Sequence, residues 1–462
     1  MALSVLPVQG DALGRRLQQT LARLIAQIDL AITAQINEVL HHGDFQRMEA
    51  SWRGLHFLWR TAAEVRQQAA VQGEQTGIEI RVLSVRRREL LKDFESAAEF
   101  DQSELFRKVY ESEFGQAGGT PYGLLVADYE FSEHPADLDL LEYLAGVAAA
   151  AFAPLIAAAS PNLLGLESFA QLDRTVGLKS ITSGRRSRKW SQFRSHPDSR
   201  FVGLTLPRIL LRTSFPDDGS GRFGFRFSEC SNQLDRSRLL WGSAAWAFAA
   251  VVCRTFAATA WFADIRGMQR GRISGGLVSG LPNGSFRIDP QGTVERGCVE
   301  VHIPDRRESE LSELGFVPLC HCRETSTAVF YSASSVHAPG SFTSDLASAS
   351  ARLSAMLQYV LCCSRIAHYL KVRVRDLTGA GENAQEISRR LNEWVQSYVT
   401  PDDRATPDMK ARFPLREASV EIEELPDRPG SYHMKMRLQP HYQLDQLDSS
   451  MTFVATRVRI IS

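Results

Sequence analysis

The residues with the greatest chemical potential are three consecutive side chains, Cys320, His321 and Cys322. Thiolate and imidazole are common zinc ligands, but a tetrahedral site needs four ligands, and paired cysteines are usually separated by two residues. In a strand, Cys320 and Cys322 share one face while His321 points to the other. The spacing therefore favours ordinary strand residues. The alternative to ordinary strand residues is that these three side chains form the centre of a cytosolic metal- or thiol-dependent enzyme.

Four other segments are weaker candidates for chemistry. Cys362-Cys363 falls in a helical pattern and is not a redox C-x-x-C pair. Gly275–Pro282, GGLVSGLP, lacks both the Walker lysine and the dinucleotide G-x-G-x-x-G order, which predicts a loop. The charged run Asp305–Glu308 predicts a salt-bridge network, and the basic run GRRSRK at 184–189 predicts a solvated loop or a protein contact. We therefore expect no catalytic residue, no cofactor and no metal.

The overall composition limits the classes of partner. The chain has 462 residues, with 53 Lys plus Arg and 53 Asp plus Glu, so its formal charge is zero. A general affinity for nucleic acid or anionic membrane needs a basic excess, and we expect neither. Seven cysteines without a spaced framework are typical of a reducing compartment, and the first residues do not resemble a signal peptide. Together these features predict a cytoplasmic protein.

Two apolar segments are similar to membrane spans, Tyr143–Ala159 and Leu239–Phe262. The first contains Pro154, and the second contains Arg254 near its middle, where a charge costs about 2.5–3.5 kcal/mol at a bilayer centre. Segments that are apolar on every side also form buried helices of large soluble proteins. We therefore predict two buried core helices and no membrane insertion.

A long amphipathic helix is predicted from about Asp11 to His41. Its apolar residues recur at steps of three and four, which places them on one face. We call five of them the helix seam: Leu17, Leu21, Leu24, Ile28 and Ile32. The other faces are polar, so the seam needs a partner surface either in this chain or in another.

Gly43 and Asp44 end that helix and begin a second one. Its predicted buried face is Phe45, Met48, Trp52, Leu55, Leu58, Trp59 and Ala62. A strand is predicted at Ile78–Ser84, because apolar residues alternate there.

Three strands are predicted near the carboxyl end, at Ala418–Glu424, Tyr432–Leu438 and Met451–Ile460. Acids on the first strand can lie opposite bases on the second, which favours an antiparallel pair. The apolar positions that we consider are Val420, Ile422, Met434, Met436, Phe453 and Val454. Three strands with one apolar face leave at least one open sheet edge.

Several motifs along the chain resemble one known family, the large sheath subunit of bacterial type VI secretion systems (TssC/VipB). Each motif is weak alone, but they occur in the same order from about residue 32 to 454. They are MEASWRGL from Met48, GLLVADYEF from Gly123, SRFVGLTLPR from Ser199, FADIRG from Phe262, FVPL from Phe316, RIAHYLK from Arg365, LNEW from Leu391 and PHYQL from Pro440.

The resemblance implies a mixed α/β, multidomain fold like that of a phage tail sheath, with a C-terminal antiparallel strand region open for strand exchange between subunits. It implies three regions: 1–70, helical and pairing with the small sheath subunit; 71–340, a central α/β domain; and 341–462, helices plus terminal strands. The seam and the terminal-strand residues are then candidates for subunit interfaces.

The same resemblance implies a structural role rather than an enzymatic one. Members of the family pair with a small subunit (TssB/VipA) and polymerise around a tube of Hcp rings on a baseplate. Contraction propels the tube, and a ClpV-type ATPase recycles the contracted sheath, mainly through the small subunit. A related phage-derived injection particle is a further possibility that the sequence does not separate from a secretion sheath.

Overall fold

The computed structural model describes residues 9–71, 77–114, 118–172, 177–178, 188–215, 225, 227, 229, 239–268, 272–287, 293–323, 325–340, 342–379, 384–402, 404–424, 432–441 and 451–458. The fold mixes helices with four sheets, as the sequence predicts. Within these residues, no helix is both long enough and apolar enough to cross a membrane.

Two long helices begin the described chain, α1 (Gln9–Leu40) and α2 (Gly43–Val71). The predicted buried face of α2 is partly wrong. Leu58 and Ala62 are buried, but Met48, Trp52 and Trp59 are 53%, 68% and 54% exposed. The Trp246 ring packs so closely against Gly54 that a Cβ added there would lie 2.3 Å from it. This contact decides which side of α2 faces the core. Gly54 therefore shares the core-facing side with Phe57 and Leu58, while Trp52 and Trp59 face outward.

A six-stranded mixed sheet forms the centre of the fold, in the order β1-β2-β3-β9-β10-β6. The first four strands pair in parallel, and the last two pairings are antiparallel. The strands are β1 (Leu125–Phe131), β2 (Leu155–Ala159), β3 (Val202–Leu206), β6 (Leu277–Val278), β9 (Phe316–His321) and β10 (Ala328–Phe330). Strand β1 lies at one edge of this sheet.

Helices cover both faces of the central sheet, which explains why its strands are almost wholly apolar. On one face lie α3 (Arg87–Ser96), α6 (Pro135–Ala150), α7 (Arg188–Ser195) and α9 (Asp305–Glu313), with a helical run formed by α4 (Glu104–Phe106), a π-turn (Arg107–Glu111) and α5 (Ser112–Phe114). On the other face lie α2 and α8 (Ala245–Thr259). Two hairpins, β4 (Ile209–Arg212) with β5 (Leu240–Gly242) and β7 (Gly284–Arg287) with β8 (Thr293–Gly297), complete this part.

Three predictions of local structure are corrected by these elements. The apolar run Tyr143–Ala159 is not one helix, because α6 ends at Ala150 and the run continues as strand β2. The run Leu239–Phe262 begins with β5 before α8 starts at Ala245. Residues 78–84, which the sequence predicts as a strand, form no strand ladder with any described residue. An apolar run suits either a buried helix or a buried strand, and only packing decides between them.

A second module follows, with its own core. It contains α10 (Asp345–Ser354), α11 (Leu357–Gly379), α12 (Ala384–Gln396), α13 (Pro407–Arg412) and a sheet of β11 (Leu415–Glu424), β12 (Tyr432–Pro440) and β13 (Met451–Val458). Helix α11 joins it to the central part. There the His368 Nε2–H donates to the Ala151 carbonyl at 2.7 Å, and Lys371 lies over the ring of Tyr110 at 4.3 Å.

Candidate assembly surfaces

The Cys320-His321-Cys322 stretch lies at the end of β9 and just beyond it. Burial, with the nearby acids Glu308 and Asp305, raises the pKa of the Cys320 thiol to about 12. Such a thiol stays protonated at neutral pH, which disfavours nucleophilic attack because the thiolate is the nucleophile. Within the residues that the structure describes, no group of three or more His, Cys, Asp or Glu side chains is arranged to hold a metal ion.

The remaining chemical candidates have structural roles. Burial raises the pKa of Cys362 to about 12, and the pKa of Cys363 is also well above its ordinary value. The GGLVSGLP segment forms β6 and its flanking turn, and the Arg254 guanidinium donates to the carbonyls of Gly275 and Leu277. Arg306 and Arg307 both pair with Glu310 within α9, the latter at 2.6 Å, which confirms the salt-bridge prediction for these two residues, while Glu308 accepts from the Ser332 hydroxyl. Residues 184–187 of the basic run lie outside the described residues.

Helix α1 exposes its seam. Leu17, Leu21, Leu24, Ile28 and Ile32 are 42–62% exposed. Leu30 lies about half a turn away from this seam and is 70% exposed. Since fully burying one leucine or isoleucine contributes about 1.5–3 kcal/mol, the seam keeps a large unrealised hydrophobic energy. The sequence leaves open whether the seam packs against this chain or against another one. The described part of this chain does not cover the seam.

A buried ion network anchors the base of α1 and α2 to the sheet. The Arg212 guanidinium donates to Glu49 Oε1 at 2.8 Å and to Glu229 Oε1 at 2.9 Å, while His41 Nε2 lies 3.3 Å from Glu229. Burial alone would raise the pKa of Glu229, but hydrogen bonds from Arg212 and from the Phe215 N–H bring it below its ordinary value. The network fixes the point from which α1 extends, and no sequence motif predicts it.

The C-terminal sheet has the predicted pairing. Val420 lies opposite Met436, Ile422 opposite Met434, and the outward Glu421 opposite Lys435. The side chains of Val420, Met434 and Met436 are buried against α11 and α12, and Ile422 is partly buried there. In the backbone register, Phe453 and Val454 of β13 lie opposite Met436 and Lys435. The four β11 and β12 candidates therefore contribute to their own module's core.

One of these two edges is already closed. On the outer side of β11, Asn392 Oδ1 accepts from the Val420 N–H at 2.9 Å, and its Nδ2 donates to the Val420 carbonyl at 2.5 Å. Gln396 donates to the Ala418 carbonyl at 2.7 Å, and Thr400 N–H to the Leu415 carbonyl at 2.9 Å. Covering an edge in this way prevents unwanted pairing. Among the described strands, β13 is the free edge of this sheet.

Comparisons with known proteins identify the class. The VipB model of the tail sheath N-terminal domain matches residues 22–337, and a second VipB model, of the tail sheath gpW/gp25-like domain, matches residues 346–457. The chain therefore belongs to this family of contractile tail sheath proteins.

The relationship extends to a particular system. The chain is 38% identical over 441 residues to the type VI secretion system sheath protein TssC1 of Pseudomonas aeruginosa, a match that covers 95% of this chain and 86% of that relative. The chain is a structural, large subunit of a type VI secretion sheath, as the sequence motifs predict.

Proposed function

We propose that this subunit pairs with a small sheath subunit through the seam of α1, and that the pairs stack into a helical sheath around an Hcp-type tube. The observation that carries the proposal is the row of five exposed aliphatic side chains on one face of a 32-residue helix. Amphipathic helices of this kind dock by laying their apolar face against a complementary groove or helix.

The proposal extends to assembly between pairs. The β13 strand offers unpaired backbone N–H and C=O groups, and strand addition uses main-chain hydrogen bonds that do not depend on side-chain identity. Phe453 and Val454 would then act through their backbone. Such strand links allow rigid bodies to rotate while they stay connected, and an open helix is the expected outcome of head-to-tail contacts. We retain 1–70, 71–340 and 341–462 as the pairing, central and strand-exchange regions of this scheme.

The energy for contraction would come from the difference between two packings of the same subunits, so no catalytic residue is required. The raised pKa of the Cys320 thiol gives no support to a thiol-dependent centre there. The sheath would assemble on a baseplate in the bacterial cytoplasm, and a ClpV-type ATPase would recycle it after contraction.

Co-expression with the small subunit, followed by electron microscopy, tests the scheme. Long hollow tubes are expected from the full-length pair. Deletion of residues 451–462 is expected to leave the heterodimer intact on gel filtration while abolishing the tubes. Tubes of normal length from the truncated chain would refute strand exchange, and pairs that never polymerise under any condition would refute the sheath scheme.

A further inference from the structure

A cleft of about 1730 Å³ opens beside β1, the edge strand of the central sheet. Residues 77–85 border it on one side and residues 122–129 on the other. Small-molecule sites usually measure about 300–1,000 Å³, so the cleft has the size of a site for a macromolecular segment.

The edge of β1 is available for backbone pairing. The Leu125 N–H donates to the Pro154 carbonyl beside β2 at 2.9 Å. Because the backbone groups of successive strand residues point to opposite sides, those of Val126 point away from β2. Within the described part of the chain, no strand pairs with β1 on that side. At one end of the edge, the Glu130 carbonyl accepts from Arg87 at 2.7 Å, so pairing would be limited to the residues before it.

Residues 77–85 line this cleft and form no strand ladder with any described residue. Long side chains, rather than backbone groups, connect them to β1 and the residues before it. The Tyr129 hydroxyl donates to the Val85 carbonyl at 2.6 Å, and Arg81 donates to the Thr120 hydroxyl at 3.0 Å. Residues 78–84 therefore have the alternating sequence of a strand, but no neighbouring strand forms backbone hydrogen bonds with them among the described residues.

The walls of the cleft define the chemistry of that neighbour. Trp52, Leu55 and Phe256 line it from α2 and α8, while Leu105 and Val109 line it from the helical run on the opposite face of the sheet. A strand placed here would be covered on both faces, and such strands are apolar on both faces. Trp52 is 68% exposed, which gives the cleft a tryptophan of the kind that dominates protein interfaces.

Two cations on α11 add a charge requirement. Arg365 and Arg373 both line the cleft. Arg365 contacts the rings of Phe256 and Tyr369, and its buried Nε has no hydrogen-bond partner among the described atoms. Arg373 lies over the Trp394 ring at 4.8 Å. In the described structure neither guanidinium pairs with a carboxylate, so an acidic side chain on the occupant would complement them.

We propose that this cleft receives an extended, mostly apolar segment of the small companion subunit, which pairs with the open edge of β1 and with residues 78–84, and which places an acidic side chain beside Arg365 and Arg373. The proposal rests on the pairing described under Proposed function. The companion is the favoured source because Trp52 lines the cleft while Met48 and Trp59 continue the same exposed row on α2, the helix that directly follows the α1 seam. A partner that covers α1 and this row therefore lies beside the cleft.

Hydrogen–deuterium exchange on the chain alone and on the co-purified pair tests the proposal. Amides of residues 78–84 and 124–129 are expected to exchange at least about tenfold more slowly in the pair, because each gains a ladder. The opposite edge of the same sheet, β6, is the internal control and is expected to be unchanged. Equal exchange at 78–84 and 124–129 in a pair that has formed would overturn the inference and leave the proposed function standing.

Two proline variants sharpen this test. Val82→Pro and Leu83→Pro alter adjacent exposed residues, so each is expected to leave the chain folded. Because adjacent amides point to opposite sides, only one of the two substitutions removes an N–H from the ladder. One variant is therefore expected to weaken pairing about tenfold, and the other less than about threefold. Equal affinity of both variants and the unmodified chain would contradict the proposal.

The same experiments separate the other possible occupants. Protection that is already complete in the chain alone would show that a segment of this chain fills the cleft. Protection that appears only in assembled tubes would show that another copy fills it. Either result overturns the assignment to the companion. Failure of the two subunits to co-elute would instead refute the pairing itself, and with it both proposals.

Discussion

Truncating the α1 seam gives a quantitative test of subunit pairing. Leu21 and Leu24 are 50% and 49% exposed, so about half of each side chain is left for a partner to bury. Full burial of a leucine contributes about 1.5–3 kcal/mol, so each should contribute roughly 1 kcal/mol to pairing. At about 1.4 kcal/mol per factor of ten, Leu21→Ala should weaken the heterodimer about fivefold, and Leu21→Ala with Leu24→Ala about 25-fold.

Leu30→Ala is the matched control, because it makes the same chemical change on the opposite side of the same helix, where the leucine is 70% exposed. Its effect on the dissociation constant should be less than twofold. The constants can be measured with labelled small subunit titrated with each variant, and circular dichroism should show unchanged folding because all three leucines are largely exposed. Equal weakening by Leu30→Ala and Leu21→Ala, or no effect of the double substitution, would refute the seam as the docking face.

Three further predictions concern the chain itself. Arg212→Met leaves Glu229 buried without its cation, so urea denaturation should show that the free energy of unfolding falls by about 3–5 kcal/mol. Arg212→Met combined with Glu229→Gln should lower it by less, and equal losses in the two variants would contradict a coupled pair. Burial lowers the pKa of His368 from 6.5 to about 4 in the folded chain. Between these two pH values the unfolded chain binds a proton at this residue and the folded chain does not, so the free energy of unfolding should fall by up to about 3 kcal/mol as the pH is lowered from 6.5 to 4. Acid titration of His368→Gln should show a smaller fall, and an unchanged profile would count against this histidine. Asn392→Ala exposes the backbone of Val420, so thermal melts should show a loss of about 1–3 kcal/mol and light scattering should show increased self-association; unchanged scattering would show that the edge is covered by other means.

The strengths and failures of the sequence predictions have physical causes. The seam of α1 and the pairing of β11 with β12 were predictable because each depends on a local period, 3.6 residues for a helix and two for a strand. That alternation places Glu421 and Lys435 on the same outward face, but the register that sets them opposite each other also depends on packing and on the connecting turn. The division of Tyr143–Ala159 into α6 and β2 was not predictable, because an apolar run carries no period and its shape depends on which surface covers it.

At the candidate assembly surfaces too, local patterns were predictable and contacts between distant residues were not. The sequence marked Val420, Met434 and Met436 as apolar positions of one sheet face, but it could not show that α11 and α12 bury that face. It also gave no sign that Asn392 closes the β11 edge, since a side-chain to backbone bond across 28 residues has no sequence signature. The Arg212 network likewise joins separate parts of the chain, since Glu49 is 163 residues and Glu229 is 17 residues away from Arg212.

The sequence by itself determined the identity of the family, the unpaired apolar row on α1 and the alternation of the terminal strands. Each of these is written in the order and spacing of neighbouring residues. Only the tertiary structure decided which surfaces remain open: the seam of α1, the β13 edge, and the cleft beside β1 where residues 78–84 lie without a ladder. Exposure is a property of what packs against a residue, and those contacts come from distant parts of the chain.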